Sequence, residues 1–288
     1  MAYKQYDDPA VLRKLQVVST LILEEFDRVC AQLHIPYFSY AGTAIGAIRH
    51  NGFIPWDDDI DVALFREDFE RFLREAPAAL GDAFELIDWH TDPHFPACNA
   101  TLALKGTYCV PDEFMKCRFQ YPISIGIYAL DQVPRDPKAY RKQARRTWLW
   151  GRLSFLRATP HPHLSLQGPQ LVAVRSACFI AHWLMKLTGF SPAFIHQHWE
   201  KAARMAEHDT ADEKTLYADY TDMNPLAWAV TKAEVFPLIE HTFENITVKL
   251  PHAYDTILRR GYGDYMQLPP EDNRKNHHPG RLDFGDYA

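Results

Sequence analysis

The chain has 288 residues, 47% of them hydrophobic and 24% charged, with a net charge of −6. That size and composition suit a well-packed globular core, and the acidic balance excludes a global electrostatic attraction for nucleic acid. Five cysteines (Cys30, Cys98, Cys109, Cys117 and Cys178) lack C-x-x-C spacing, which suits reduced thiols in a cytoplasmic protein and argues against a disulfide framework or a zinc site.

The first residues, MAYKQYDDPAVLRK, are polar and carry no signal-peptide apolar core. Asp8-Pro9 is an N-cap followed by proline at the first helical position. Val11, Leu12, Leu15, Val18, Ile22, Phe26, Val29 and Leu33 then recur at helical spacing, predicting a helix to about His34. Tyr37–Tyr40 reads as a short strand, and Ala41–Arg49 as a tight turn opening a short helix. Asn51-Gly52 is a strong turn signal. Residues 57–65 read as a strand, 66–79 as a helix, 84–89 as a strand, 101–110 as a hairpin broken at Lys105-Gly106, and 122–130 as another strand. This mixture predicts an α/β core over residues 1–135, a mixed sheet flanked by helices.

After Pro134 the texture changes. Residues 137–158, 170–188 and 192–208 read as helices, followed by a strand-like stretch at 243–250 and a helix at 251–260. Residues 136–288 therefore read as a mainly helical region packed with the core. Within it, 171–190 is strongly apolar but interrupted by Arg175, His182 and Lys186. An Arg or Lys at mid-bilayer costs about 2.5–3.5 kcal/mol, so a buried helix is preferred to a membrane-surface one. The stretch Arg135–Arg157 holds eight basic residues against one acid, Asp136. It reads as a solvated helix face or, functionally, as a surface for an anionic acceptor or for peripheral contact with the inner membrane face.

The most informative feature is the run Asp57-Asp58-Asp59-Ile60-Asp61. Carboxylates this dense repel one another unless a cation sits among them. On a strand, Asp57, Asp59 and Asp61 share one face and could hold Mg²⁺ or Mn²⁺ for transfer at a phosphoryl group. An EF-hand is rejected: its sixth position needs glycine and here is Val62, and its twelfth is Asp68 rather than glutamate. Upstream, Gly42 lets backbone approach a phosphate, Thr43 offers a hydroxyl and an amide at a helix start, and Arg49 offers a planar fork. Lys105 is a further candidate phosphate ligand.

The segment AGTAIGAIRHNGFIPWDDDIDVALFREDFERF, residues 41–72, closely resembles the signature of the LicD-type phosphotransferases, the group that includes fukutin and fukutin-related protein. A second match, RRGYGDYMQLPPEDNRKNHH at 259–278, follows in the expected order, and weaker likeness runs through 102–110 and 125–134. The resemblance implies a nucleotidyltransferase-like fold. It also implies transfer of phosphocholine or a polyol phosphate from a CDP-linked alcohol donor to a hydroxyl of a cell-surface glycan or glycolipid. On the matching positions Asp57, Asp59 and Asp61 would be the metal-binding and catalytic carboxylates, and Gly42 and Thr43 the phosphate-facing turn. In the second signature, Tyr262 and Tyr265 could stack on a cytosine or face a quaternary ammonium. Asp264 could hydrogen-bond the substrate and Arg274 could meet a phosphate.

One departure stands out. The family usually carries an Asp where this chain has Gly126, and only Asp131 of that strand matches. Either the Asp57–Asp61 cluster suffices for the metal, or Asp131 substitutes, or activity is reduced. The alternatives to a phosphotransferase are a nucleotidyltransferase with the same metal site and a catalytically silent nucleotide-binding protein.

Overall fold

A computed structural model describes residues 5–164 and 166–287. Helix α1 (Pro9–Leu33) begins where Asp8 accepts a hydrogen bond from the Ala10 amide, and it ends at His34 in the left-handed conformation. Strand β1 (Phe38–Ser39) leads into α2 (Ala41–His50). Then follow β2 (Asp61–Phe65), α3 (Arg66–Glu75), β3 (Phe84–Ile87), β4 (Ala100–Leu104), β5 (Tyr108–Val110) and β6 (Ser124–Gln132). The remainder comprises α4 (Pro137–Ala158), α5 (Gly168–Leu187), α6 (Pro192–Ala203), β7 (Tyr217–Asp219), α7 (Lys232–Val235), β8 (Ile239–Phe243), β9 (Ile246–Leu250), α8 (Tyr254–Tyr262) and β10 (Arg281–Asp283).

The architecture is a mixed α/β sheet of order β1-β2-β6-β4-β3, with β7 pairing the far half of β6. β2 and β6 run parallel, with Asp61 opposite Gly126, and the other pairs are antiparallel. Strand alternation sorts the two faces. Val62, Leu64, Ile125 and Ile127 pack under α1 and α3 in one core with Ile22, Phe26 and Phe72. Ala63, Phe65 and Leu130 face a second core with Tyr40, Val235 and Ile257. Residues beyond 135 return to the sheet through β7 and cover its second face through α8.

Several expectations are revised. Residues 101–110 do not pair with each other: β4 bonds β3 and β6, and β5 instead pairs with β10 near the C-terminus. The strand-like signal at 243–250 is the second half of a β8–β9 hairpin that starts at Ile239. Strand β2 starts at Asp61 rather than at 57. Beyond Ser39 the neighbouring chain turns away into α2, so residues 57–60 lack a strand partner on that side. The apolar helix at 171–190 is not buried. In α5 only His182 and Met185 are fully buried, while Ile180, Trp183 and Leu184 are exposed.

Asp131 is buried and forms a two-pronged ion pair with Arg66, at 2.8 and 2.6 Å. Its carboxylate offsets a buried guanidinium on the α1 side of the sheet. Asp131→Ala should cost about 3–5 kcal/mol, because it strands Arg66 without a counter-charge. Urea denaturation measures this, and the double change with Arg66→Met should recover much of the loss.

Candidate active site

The four aspartates sit in a short loop held from three sides. The Asp57 amide donates to the Ile54 carbonyl and the Gln16 side chain to the Asp57 carbonyl. At the other end, the Asp61 amide donates to the Thr43 hydroxyl and the Tyr40 amide to the Asp61 carbonyl. The turn before the loop is braced by the β8–β9 tip: the Glu244 amide donates to the Asn51 carbonyl, and its carboxylate accepts from the Phe53 amide. Thr43 therefore positions the loop through its hydroxyl.

Helix α2 opens beside this loop with no side-chain cap on its first amides. The Asp57 carboxylate lies so close that a Cβ on Gly42 would sit 2.8 Å from Asp57 Oδ2. A helix N-terminus favours negative charge, so this contact offsets part of the acidic crowding. A methyl on Gly126 would meet Asp61 Oδ1 at 2.6 Å and the Tyr128 ring at 2.8 Å. The Asp61 side chain thus occupies the space a side chain at 126 would need.

The electrostatics follow from this crowding. Burial first, then the charges of Asp59 and Asp58 and a hydrogen bond to Asp59, push the Asp57 carboxyl up to about 8. Burial and the Asp58 charge raise Asp59 as well. Asp61 is driven well up by burial, then by Asp59, Asp57 and, to a smaller extent, Asp219, against an opposing hydrogen bond from Tyr128. Asp59 is exposed by surface area yet enclosed by protein mass, as befits a side chain lining an open recess. Asp58 turns the other way: it accepts from the His277 amide at 2.8 Å and, at 3.4 Å, from its imidazole, and this side-chain bond raises His277.

The second signature thereby folds onto the first. Arg274 stacks over Trp56, with its guanidinium 4.9 Å from the ring centroid, and lies near enough to Arg49 to depress it, after burial. The Arg49 side chain donates to the Tyr265 carbonyl. Tyr262 is half-exposed and feels Asp61, Asp57 and Asp59. Its ring packs 4.5 Å from Trp228, which lies 6.3 Å from Tyr40, itself 5.9 Å from Tyr128. These four rings wall the acidic recess on the second face of the sheet. The buried Tyr40 hydroxyl has no hydrogen-bond partner.

Other expected residues lie elsewhere. Tyr265 is buried, its hydroxyl donating to Asp255, so its ring anchors the tail and offers no open stacking face. Asp264 is exposed and faces Arg259 at 3.6 Å. Lys105 donates to the Asp82 carbonyl in the turn after β4. Asp131, five residues beyond Gly126 on the opposite face, is committed to Arg66. Sequence reasoning missed Asp219, which sits opposite Leu130 and so on the Asp61 face of the sheet. Burial pushes Asp219 up to about 7 against two hydrogen bonds from Thr221. It missed Tyr40, Tyr128 and Trp228 too. Only Tyr128 had a legible signal, sitting two residues from Gly126 on one strand.

The donor set suits a hard divalent cation: several carboxylate oxygens beside the cradle at Gly42, with pKa values raised by burial and by neighbouring carboxylates. As arranged, Asp57 bonds Asp59 and Asp61 bonds Tyr128. Among the described residues no three ligating side chains converge on one point, so coordination needs rotation of these short side chains.

Comparison with known proteins bears on the same residues. Residues 34–93 match the family model described as LicD/FKTN/FKRP, nucleotidyltransferase domain. The lipopolysaccharide cholinephosphotransferase LicD of Haemophilus influenzae is 29% identical over 276 residues, 93% of this chain and 96% of that protein. Both matches bear out the resemblance to the LicD family. Shorter likeness joins this chain to uncharacterized proteins of two Rickettsia species. One, from Rickettsia typhi, is 34% identical over 56 residues, 19% of this chain and 18% of its own length. The other, from Rickettsia prowazekii, is 36% identical over 47 residues, 16% and 18%.

The crowding at Gly126 and the raised Asp57 are both open to measurement. Gly126→Ala should displace the Asp61 carboxylate and the Tyr128 ring at a cost of about 1–3 kcal/mol. An unchanged urea midpoint would mean both swing clear freely. The second measurement concerns pH. A carboxyl whose folded pKa exceeds its unfolded value, about 3.9, contributes stability that is full below that value and lost as pH rises through the folded one. For Asp57 the loss runs up to about pH 8. In chelator-treated protein, Asp57→Asn should therefore melt about 2–4 °C above the parent at pH 8, with the gap closing toward pH 4. Parallel melting profiles would contradict it.

Proposed function

We propose that this chain is a metal-dependent phosphotransferase. It moves a phospho-alcohol, phosphocholine or a polyol phosphate, from a CDP-linked donor to a hydroxyl of a cell-surface glycan or glycolipid. The observation that carries this reading is the meeting of two distant signatures at one recess: Asp57, Asp59 and Asp61 from the first, with Tyr262, Arg274 and His277 from the second. The extended likeness to a lipopolysaccharide cholinephosphotransferase supports the same chemistry.

Asp57, Asp59 and Asp61 would hold Mg²⁺ or Mn²⁺, which when bound neutralises charge developing on the transferring phosphoryl group. The α2 N-terminus at Gly42 suits the donor phosphates, with Arg49 and Arg274 at the rim for remaining negative charge. The half-open rings of Tyr128, Trp228 and Tyr262 suit either a cytosine face or a quaternary ammonium. The acceptor oxygen attacks the distal phosphorus of the donor, the bond to CMP breaks, and CMP departs with the bridging oxygen. Asp57 would either complete the metal site or, left off the metal, take the acceptor proton.

The test is a panel of CDP-alcohols, each assayed with Mg²⁺ for CMP release. Asp59→Ala and Asp61→Ala should each lower turnover by about 10²-fold or more without lowering the melting temperature. Undiminished turnover in either variant would refute the reading. The family model's nucleotidyltransferase description favours one rival, in which the nucleotide stays on the acceptor. Pyrophosphate release from a nucleoside triphosphate, with no CMP from any CDP-alcohol, would support it instead.

A further inference from the structure

The charge of this chain is strongly segregated. Between Pro137 and Trp199 there is no Asp or Glu, while Lys138, Arg141, Lys142, Arg145, Arg146, Arg152, Arg157, Arg175 and Lys186 all fall there. The chain as a whole carries −6, with 31 basic and 37 acidic residues, so the remainder is far more acidic than the total suggests. Apart from Arg157, which is half-buried and donates to the Phe190 carbonyl, these cations are exposed. No carboxylate among the described residues is paired with them.

Within this acid-free stretch lies α5, a helix apolar on both sides. One side (Leu171, Val174, Cys178, Ala181, His182 and Met185) turns inward, with His182 bonding the Leu156 carbonyl of α4. The other side presents Val172, Phe179, Ile180, Trp183, Leu184 and Leu187 to solvent; Val172 is 65%, Ile180 58% and Leu187 81% exposed. A helix that is hydrophobic all round normally lies buried or in lipid, and a continuous exposed apolar stripe of this kind marks an interaction surface. At helical spacing, Arg175 and Lys186 fall along one edge of the stripe. Lys186 lies 5.0 Å from the Trp183 ring centroid, and on α4 Arg152 lies 6.0 Å from Trp148, which is 50% exposed.

We propose that the outer side of α5 docks this protein on the surface of an anionic lipid bilayer, its apolar stripe entering the acyl boundary and the surrounding cations facing lipid phosphates. Apolar residues, interfacial tryptophans and unpaired cations without any acid are the combination such a surface recognises. A protein partner would have no need of a stretch this long without one carboxylate. No single helix among the described residues is long and apolar enough to cross a bilayer. The bent pair of α5 and α6, at 106°, cannot enter lipid as a unit, because α6 buries Ile195, Trp199, Ala202 and Ala203. The helix therefore lies in the membrane plane. The inference stands apart from the transferase reading, because binding is measured with no donor or acceptor present.

Vesicle flotation of the full chain tests it, using vesicles rich in phosphatidylglycerol against vesicles of phosphatidylcholine alone. The parent should float with the anionic vesicles, and raised salt should weaken the binding. Ile180→Asp with Leu184→Asp, and separately Arg175→Glu with Lys186→Glu, should each lower the partition about tenfold or more. Since all four side chains point outward, circular dichroism melts should stay unchanged. A parent that floats with neither vesicle, or equally with both, overturns the proposal. So does a parent that sediments as a dimer and becomes monomeric on Ile180→Asp with Leu184→Asp, which would give the stripe to a second copy of the chain.

Discussion

Repulsion among Asp57, Asp59 and Asp61 is the constraint around which the neighbouring structure is arranged. Burial raises the proton affinity of all three carboxyls, and neighbouring carboxylates add to it, Asp58 in the case of Asp59; the fold tolerates this because the backbone leaves the loop little freedom. Gln16 of α1 holds one end, Thr43 of α2 the other, and Glu244 fixes the preceding turn. Each tether comes from a different part of the chain, so the loop is positioned by the complete fold and not by its own sequence. The uncapped start of α2 adds a partial positive charge where Asp57 needs it. Asp58, whose side chain turns toward the C-terminal segment, ties that segment down through His277. Carboxyls perturbed together in this way are the pattern expected of a functional site.

How much of this was legible in the sequence depends on how local the determining physics is. Helix α1 was readable from Asp8-Pro9 and a clean 3.6-residue period, because capping and periodicity act within a few residues. The site core, Gly42 with Asp57 to Asp61, was readable because carboxylates packed so closely along a chain call for a cation to offset their repulsion. Pairing was not. The partner of β5 is β10, some 170 residues away, and nothing near Lys105-Gly106 announces it. Asp131 and Tyr265 show the same limit: each is chemically suited to the site, yet Arg66 claims one and Asp255 the other. Asp219 and Trp228 escaped notice because only the return of the chain to the sheet brings them to this face. The misreading of α5 has a different origin. Apolarity all round a helix says that it avoids water, and it leaves open whether protein or another apolar phase provides the cover.

The same two-sidedness organises the surface. Acidic residues are concentrated outside the stretch from 137 to 199, and cations without counter-ions inside it. The acidic recess and the basic flank are electrostatically opposite, and they are carried by different elements: β2 and α2 for one, α4 and α5 for the other. Tyr128 stands between them. Its hydroxyl bonds Asp61, while its ring borders a cavity of about 190 Å³ shared with Trp148, Arg152 and Asp222. Thr147, Gly151 and Phe155 continue the lining of that cavity along the basic helix α4.

Gly126 can be understood in these terms. An aspartate at this position would project into the space now filled by Asp61 and by the Tyr128 ring, adding a further negative charge to a group already strained by repulsion. In this chain the position opposite Asp61 is left without a side chain, and the stabilising partner comes from two residues along the same strand face as a neutral hydroxyl. Tyr128 itself is held un-ionised, chiefly by the charge of Asp61 and then by burial. A hydroxyl donor lowers the proton affinity of Asp61 where another carboxylate would raise it. Glycine at 126 and tyrosine at 128 therefore belong together: the first makes room for Asp61 to turn, and the second gives it something to turn toward. The expected carboxylate is replaced by a rearranged neighbour and not by an empty corner.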